Sequence, residues 1–358
     1  MPVFAASIVS FLITTALLLV LRPLASAIRL VDHPGGRKTH SGVVPVIGGI
    51  AMLSGLLIAA IMGGELGHQG GVVLLASVFM VFIGALDDRY NLAPQFRLFA
   101  QAAAAIALAY GSGFVVLDLG NLLGFGDIKL GWLALPLTVV ACMALINAFN
   151  MLDGLDGLAG GCGFMALAGL SAVALMHGAP VSAVLAASLL GSCAGFLIFN
   201  VPARFNRGLR TFMGDAGSTL LGFMLACVAL LLIQPSRTDI APVFILWMMP
   251  IPIFELFTTT GRRIVRGMHP MRPDDGHFHH HFVKAGFSVR LIFSMYVAVS
   301  TLSVLTGIAA LQAQLPEPLM FGLFVLFYAA WMMLVRYAPG IGARLPTALR
   351  RQLENLPI

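Results

Sequence analysis

Eleven apolar stretches separated by short polar interruptions set the pattern of this chain. They run over Val3–Leu21, Val43–Gly63, Val72–Leu86, Leu98–Val116, Trp132–Asn150, Leu158–Met176, Val181–Phe199, Thr219–Ile233, Ala241–Thr260, Leu291–Leu311 and Leu319–Val335. A helix needs about 20 apolar residues to cross the hydrocarbon core of a bilayer. The pattern therefore predicts an all-α, polytopic membrane bundle of about eleven transmembrane helices. Composition excludes the soluble alternative. The chain is 59% hydrophobic and 10% charged, against about 45–50% and 25% in an ordinary soluble domain.

Charge sets the expected orientation. No Lys or Arg precedes the first stretch, while Arg22 and Arg29 follow it. That order is opposite to a secretory signal and places the N-terminus on the periplasmic side. Alternating from there, 19 of the 21 Lys and Arg residues fall on inside segments, and only Lys129 and Arg237 fall outside. An odd number of spans puts the C-terminus in the cytoplasm. Residues 1–338 read as one transmembrane catalytic domain. Residues 339–358 read as a cytoplasmic tail forming an interfacial amphipathic helix, with Arg344, Arg350 and Arg351 among Leu and Ala. The net charge of +6 then belongs to one face, and no basic arm stands apart to bind nucleic acid. Cys142, Cys162, Cys193 and Cys227 lie in or beside the stretches without CxxC spacing, and read as small apolar helix residues.

The polar residues sort to the same face. Ionisable groups are costly in a membrane helix, so their clustering marks a site. Asp87-Asp88 ends the third stretch. Adjacent carboxylates at a low-dielectric boundary favour uptake of a proton or a cation, as a general base or around Mg²⁺. The bland alternative is a solvated helix end paired with Arg89. Asn147, Asn150, Asp153 and Asp156 follow at three-residue intervals, with Gly154 and Gly157 between the acids. Residues three apart share a helix face, and oxygen ligands suit a hard cation. A polar Asx turn is the alternative.

Phe212-Met213-Gly214-Asp215-Ala216-Gly217-Ser218 leads into the eighth stretch. Asp215 and Ser218 would cap that helix, or the segment would form a phosphate site. Asp274-Asp275-Gly276-His277-Phe278-His279-His280-His281 occupies the largest inside loop. Imidazoles there suit hydrogen bonding to a diphosphate better than zinc, because no thiolate or HExxH helix accompanies them. Arg37-Lys38-Thr39-His40 precedes the second stretch and adds cations for phosphate. Phosphoryl transfer is the chemistry that uses a hard cation, fixed cations and a base together. An ion-coupled transporter is the rival from another class. It predicts acids near the bilayer midplane and broken helices in corresponding halves, whereas these acids gather at one face.

At Gly84–Arg89, Asn147–Gly157, Phe212–Ser218 and His277–His280 the sequence resembles the polyprenyl-phosphate N-acetylhexosamine-1-phosphate transferase superfamily. Its details are most similar to the UDP-GlcNAc:undecaprenyl-phosphate GlcNAc-1-phosphate transferase (WecA) branch. The MraY-type transferases, which use a UDP-MurNAc-peptide, are the alternative branch. The resemblance implies transfer of a HexNAc-1-phosphate from a UDP-sugar to undecaprenyl phosphate. UMP is released, and assembly of a lipid-linked glycan begins. It implies Mg²⁺, with Mn²⁺ as a substitute, on Asp215 with Asn150 nearby. Asp87 with Asp88 would deprotonate the lipid phosphate. Asn147, Asp153 and Asp156 would lie on the nucleotide side. His277, His279 and His280 would lie near the diphosphate, with His279 catalytic, and Lys38 and Arg97 would be phosphate-contacting cations. A homodimer in the bacterial inner membrane, with a cytoplasmic active site, is also implied. One departure stands out. Such loops often carry a basic residue before the first histidine, and here Asp275-Gly276 takes its place.

Overall fold

The computed structural model describes residues 3–33, 42–64, 66–202, 208–234, 240–269 and 276–344. Among them the helices in chain order are α1 (Val3–Leu21), α2 (Gly48–Met62), α3 (Gly67–Tyr90), α4 (Pro94–Ser112), α5 (Ala134–Leu152), α6 (Leu158–Met176), α7 (Pro180–Asn200), α8 (Gly214–Leu232), α9 (Pro242–Leu246), α10 (Pro250–Val265), α11 (Phe278–Lys284), α12 (Val289–Gln312) and α13 (Glu317–Arg344). Every apolar stretch read from the sequence but the ninth overlaps one helix. Among the described residues eight helical segments are long and apolar enough to cross a membrane, so the chain is a polytopic helical membrane protein. α2 is apolar but only 15 residues long.

The ninth stretch departs from the expected single span. It breaks between α9 and α10 at Trp247–Met249. Pro250 lacks an N–H for the helix ladder, and it forces the preceding Met249 out of helical geometry, to φ −141° and ψ 52°. α13 runs through Pro339 to Arg344, and 345–358, most of the expected tail, lie outside the described residues. Among the described residues, a two-stranded ribbon pairs β1 (Val31–Asp32) with β2 (Val44–Pro45). Lys38, between them in sequence, lies outside the described residues.

α8 is the axis of the bundle, with 89% of its apolar window buried. It packs on α3, α5, α2 and α6. Two glycines set how closely it is approached. A Cβ on Gly84 of α3 would lie 2.5 Å from the Ala216 Cα, and one on Gly222 of α8 would lie 2.5 Å from the Ile146 Cα of α5. Any side chain at these points would push the helices apart. The close packing brings the polar last turns of α3 and α5 to the first turn of α8. The four cysteines are free and buried in the bundle, as expected.

Candidate active site

Asp87 and Asp88 lie in the last turn of α3, and they do different work. Asp88 turns to the start of α8. Its Oδ1 accepts the Asp215 N–H at 2.7 Å and its Oδ2 accepts the Ala216 N–H at 3.1 Å. The first amides of a helix have no partner within it, and they carry partial positive charge. A carboxylate from another helix therefore supplies the cap expected from Asp215 or Ser218. Ser218 instead donates to the Gly214 carbonyl at 3.1 Å. With its own helix start capped by Asp88, Asp215 keeps its carboxylate for other uses, and 39% of its side chain is accessible.

Asp87 is 4% exposed. Its Oδ2 accepts from Arg97 Nη1 at 2.8 Å and its Oδ1 from the Leu92 N–H at 2.7 Å. Arg89, the partner in the bland alternative, lies instead over the Tyr90 ring. The same Arg97 nitrogen stands 3.9 Å from Asp215 Oδ1. One guanidinium from the first turn of α4 thus bridges the α3 and α8 carboxylates, which makes Arg97 central. A small cavity beside Asp87 and Arg97 is lined by Met80, Gly84, Gln101 and Thr219.

On α5, Asn147 and Asn150 diverge in role. The Asn147 amide donates to Gln101 Oε1 and to the Met143 carbonyl, both at 2.7 Å. It ties α5 to α4. Asn150 Oδ1 is buried and has no partner. An unpaired buried acceptor costs about 1–3 kcal/mol, so this oxygen is oriented for something the protein alone does not supply.

Asp153 caps α5, and burial pushes its carboxyl well above the ordinary range, assisted by the nearby charges of Asp215, Asp88 and Asp156. Asp156 pairs with Arg210 Nη2 at 2.5 Å, and that guanidinium also covers the Phe212 ring. Asn200, at the end of α7, holds the turn in place. Its Oδ1 accepts the Gly157 N–H at 2.8 Å and its amide donates to the Thr211 carbonyl at 2.9 Å. It thereby ties the Asp153–Gly157 turn to the strand-like segment before Asp215.

The histidine segment closes one side. His277 is the residue before α11. His279 is 2% exposed and sits against Gly154, where a Cβ would strike its ring. This contact joins the histidine segment to the acidic turn. His279 Nε2 is buried without a partner. Burial, then the neighbouring His280 and His277, push its pKa well down. Burial lowers His281 as well, with Arg262 and Lys284 adding to the effect. The His277 and His279 rings stack 5.6 Å apart and nearly parallel, and His280 lies 4.3 Å from His279. Arg262 of α10 donates to the Gly276 carbonyl. A cation from a different element therefore stands at the position where the loop sequence lacks its basic residue.

The structure thus gathers Asp87, Asp88, Arg97, Asp153, Asp156 and Asp215 at one end of the bundle, with Asn150 beside the acidic turn and the histidines packed on that turn. Sequence reasoning missed Asn200, Arg210, Gln101 and a structural part for Glu255. Glu255 and Gln101 carried a visible signal as polar residues inside apolar runs, and Asn200 as one at the end of a run. Arg210 stood out only as one of several loop cations.

These features define a class, a polytopic membrane protein whose one polar end pairs carboxylates with a fixed cation and with unpaired oxygen and nitrogen atoms. Residues 71–233 match the model of glycosyl transferase family 4. The chain is similar over nearly its whole length to proteins named undecaprenyl-phosphate alpha-N-acetylglucosaminyl 1-phosphate transferase. The Yersinia pestis protein is 32% identical over 96% of this chain and 95% of its own length. That of Escherichia coli K12 is 33% identical over 96% and 94%, and that of Haemophilus influenzae 37% identical over 89% and 90%. The chain belongs to glycosyl transferase family 4, among these membrane glycosyl-1-phosphate transferases.

Proposed function

We propose that the protein transfers GlcNAc-1-phosphate from UDP-GlcNAc to undecaprenyl phosphate at the cytoplasmic face of the bacterial inner membrane, so beginning a lipid-linked glycan. An oxygen of the lipid phosphate attacks the sugar-bearing phosphorus of the donor. A new P–O bond joins lipid and sugar phosphates, the bond to the bridging oxygen breaks, and UMP leaves with that oxygen. The observation that carries the reading is the sharing of Arg97 between Asp87 and Asp215 beside the accessible Asp215 carboxylate. Arg97 receives the acceptor phosphate, Asp87 takes any proton that phosphate still bears, and Asp215 faces the donor.

Mg²⁺ fits the donor set. Among the described residues no three His, Cys, Asp or Glu side chains converge as a metal cage. Mg²⁺ commonly uses one or two carboxylates, with waters and substrate phosphates completing its octahedron. Asp215 would hold it, with the unpartnered Asn150 oxygen alongside. When bound, the ion neutralises charge on the transferring phosphoryl group. Asp153 and Asp156 lie on the nucleotide side, and Arg210 sets the position of Asp156. Asp88 acts by holding the first turn of α8.

The test is UMP release by the purified protein. Release is expected to require UDP-GlcNAc, undecaprenyl phosphate and Mg²⁺ together. Turnover of a UDP-MurNAc-peptide in place of UDP-GlcNAc would overturn the sugar assignment, and full activity in chelator would overturn the metal.

A further inference from the structure

We propose that Glu255 is the positioning residue of the histidine segment, fixing His277 so that its Nε2 is the nitrogen presented to the donor's phosphates. This rests on the phosphotransfer reading above. Glu255 lies in the apolar half of α10 and is 1% exposed. A buried carboxylate is tolerated only where hydrogen bonds replace its hydration. Glu255 has three. Its Oε1 accepts from Thr259 Oγ1 at 2.9 Å and from His277 Nδ1 at 2.8 Å, and its Oε2 accepts the Phe278 N–H at 3.0 Å. It therefore grips two successive residues, one through the ring and one through the backbone.

The partner settles the chemistry of the ring. A carboxylate only accepts, so Nδ1 of His277 carries the proton that points at Glu255. Nε2 is then the nitrogen left over, and among the described residues no group bonds it. The peptide on the other side of His277 is fixed too, because Arg262 donates to the Gly276 carbonyl. Glu255 and Arg262 are seven residues apart, about two turns, and so share one face of α10. α10 thus holds both flanks of His277. A proton on Nε2 makes the ring a double donor between two anions, Glu255 and the diphosphate.

Accessibility divides the histidines accordingly. The His277 side chain keeps 13% exposure, whereas His279 is enclosed against Gly154. The parallel stack lets the buried ring support the accessible one. His277 meets substrate, His279 packs the segment onto the acidic turn, and Glu255 acts through His277.

The experiment uses the full chain in nanodiscs with Glu255→Gln, His277→Gln and the double variant. Each single change is expected to lower kcat about 10²-fold, in the range of a lost acid-base or orienting group. KM for undecaprenyl phosphate stays within about threefold. Residues that act as one unit are non-additive, so the double variant should lose no more than about threefold beyond the weaker single variant. A multiplicative loss would overturn the proposal. ¹⁵N-histidine NMR of the unmodified protein supplies a second readout, with the His277 signal assigned by its absence in His277→Gln. Protonated Nδ1 is expected, and a ring with bare Nδ1 and protonated Nε2 would overturn the contact even if Glu255→Gln failed to fold. Absence of UMP release by the unmodified protein would instead count against the phosphotransfer reading, while the NMR result would still decide the tautomer.

Discussion

The two ends of the bundle use the same residue types to opposite effect. At the end that carries the α4–α5 loop, Asp118 Oδ1 accepts the Gly120 N–H at 3.1 Å, Asn121 Oδ1 accepts the Gly126 N–H at 2.9 Å, and Glu317 Oε2 accepts the Asn121 N–H at 2.7 Å. Each polar group closes a turn or ties the loop to α13. At the other end Asp88, Asp153, Asp156 and Asp215 lie within reach of one another's charge, and buried atoms of Asn150 and His279 have no partner. At the first end these named groups all have partners within the fold. The other carries repulsion and unmet hydrogen bonds that the fold retains without gain in stability, the pattern expected where ligands complete the structure.

The largest effect should come from breaking the incomplete end at its centre. Asp215→Asn, Asp87→Asn and Arg97→Gln are each expected to lower kcat/KM by about 10³-fold or more, as loss of fixed charge in a phosphoryl-transfer site does. Asp118→Asn should leave it within about twofold. UMP release measured side by side checks both. An Asp215→Asn protein with more than a tenth of normal turnover would end the contrast.

Asp88 comes next, because it serves both stability and function. Asp88→Ala strips the cap from α8 and should cost about 1–2 kcal/mol of stability, with a loss of about 10²-fold in kcat from displacement of Asp215. Asp88→Asn keeps one amide acceptor and should recover most of the activity. Thermal unfolding and turnover on the two variants separate capping from proton transfer. If the Asn variant were as inactive as the Ala variant, the charge of Asp88 would have a direct part in the reaction.

Much of this was legible in the sequence, and the reasons differ by residue. The helices follow from hydropathy, which depends only on local composition. The gathering of Asp87, Asp153, Asp156 and Asp215 follows from charge sidedness. The division between Asp87 and Asp88 does not, since adjacent residues of one type differ only in which neighbour each meets in space. Nor does the division between Asn147 and Asn150, because Gln101 is remote in sequence. The break at Trp247–Met249 was readable from Pro250 and Pro252, but the continuous apolar run hid it. The contact of Arg262 with the Gly276 carbonyl joins α10 to the histidine segment, and nothing in the loop itself encodes it.

Smaller effects arise from protonation, and the signs are opposed. The Asp153 carboxyl is raised in the folded protein. Its contribution to stability is therefore fully present below the unfolded value and declines as pH rises through the folded value. His279 is lowered, so its contribution is present above the unfolded value of about 6.5 and is lost as pH falls. Asp153→Asn should raise the unfolding midpoint at neutral pH while lowering turnover, and His279→Gln should flatten the acid side of the profile. Melting curves between about pH 5 and 8 test both. A lower midpoint for Asp153→Asn at every pH would show that its carboxylate is stabilised by a contact other than those described.

The smallest effect belongs to the end that carries the α4–α5 loop, and it is the sharpest control. Glu317→Gln keeps an oxygen to accept the Asn121 N–H and loses only the charge. A charged acceptor contributes about 1 kcal/mol more than a neutral one, and partial exposure reduces that difference further. The unfolding midpoint should fall by no more than about 2–4 °C, and kcat/KM should not move. A loss of turnover without a loss of stability would mean that the α4–α5 loop is coupled through the bundle to the carboxylate cluster. That outcome would replace a contrast between independent ends with a single two-state element biased from both.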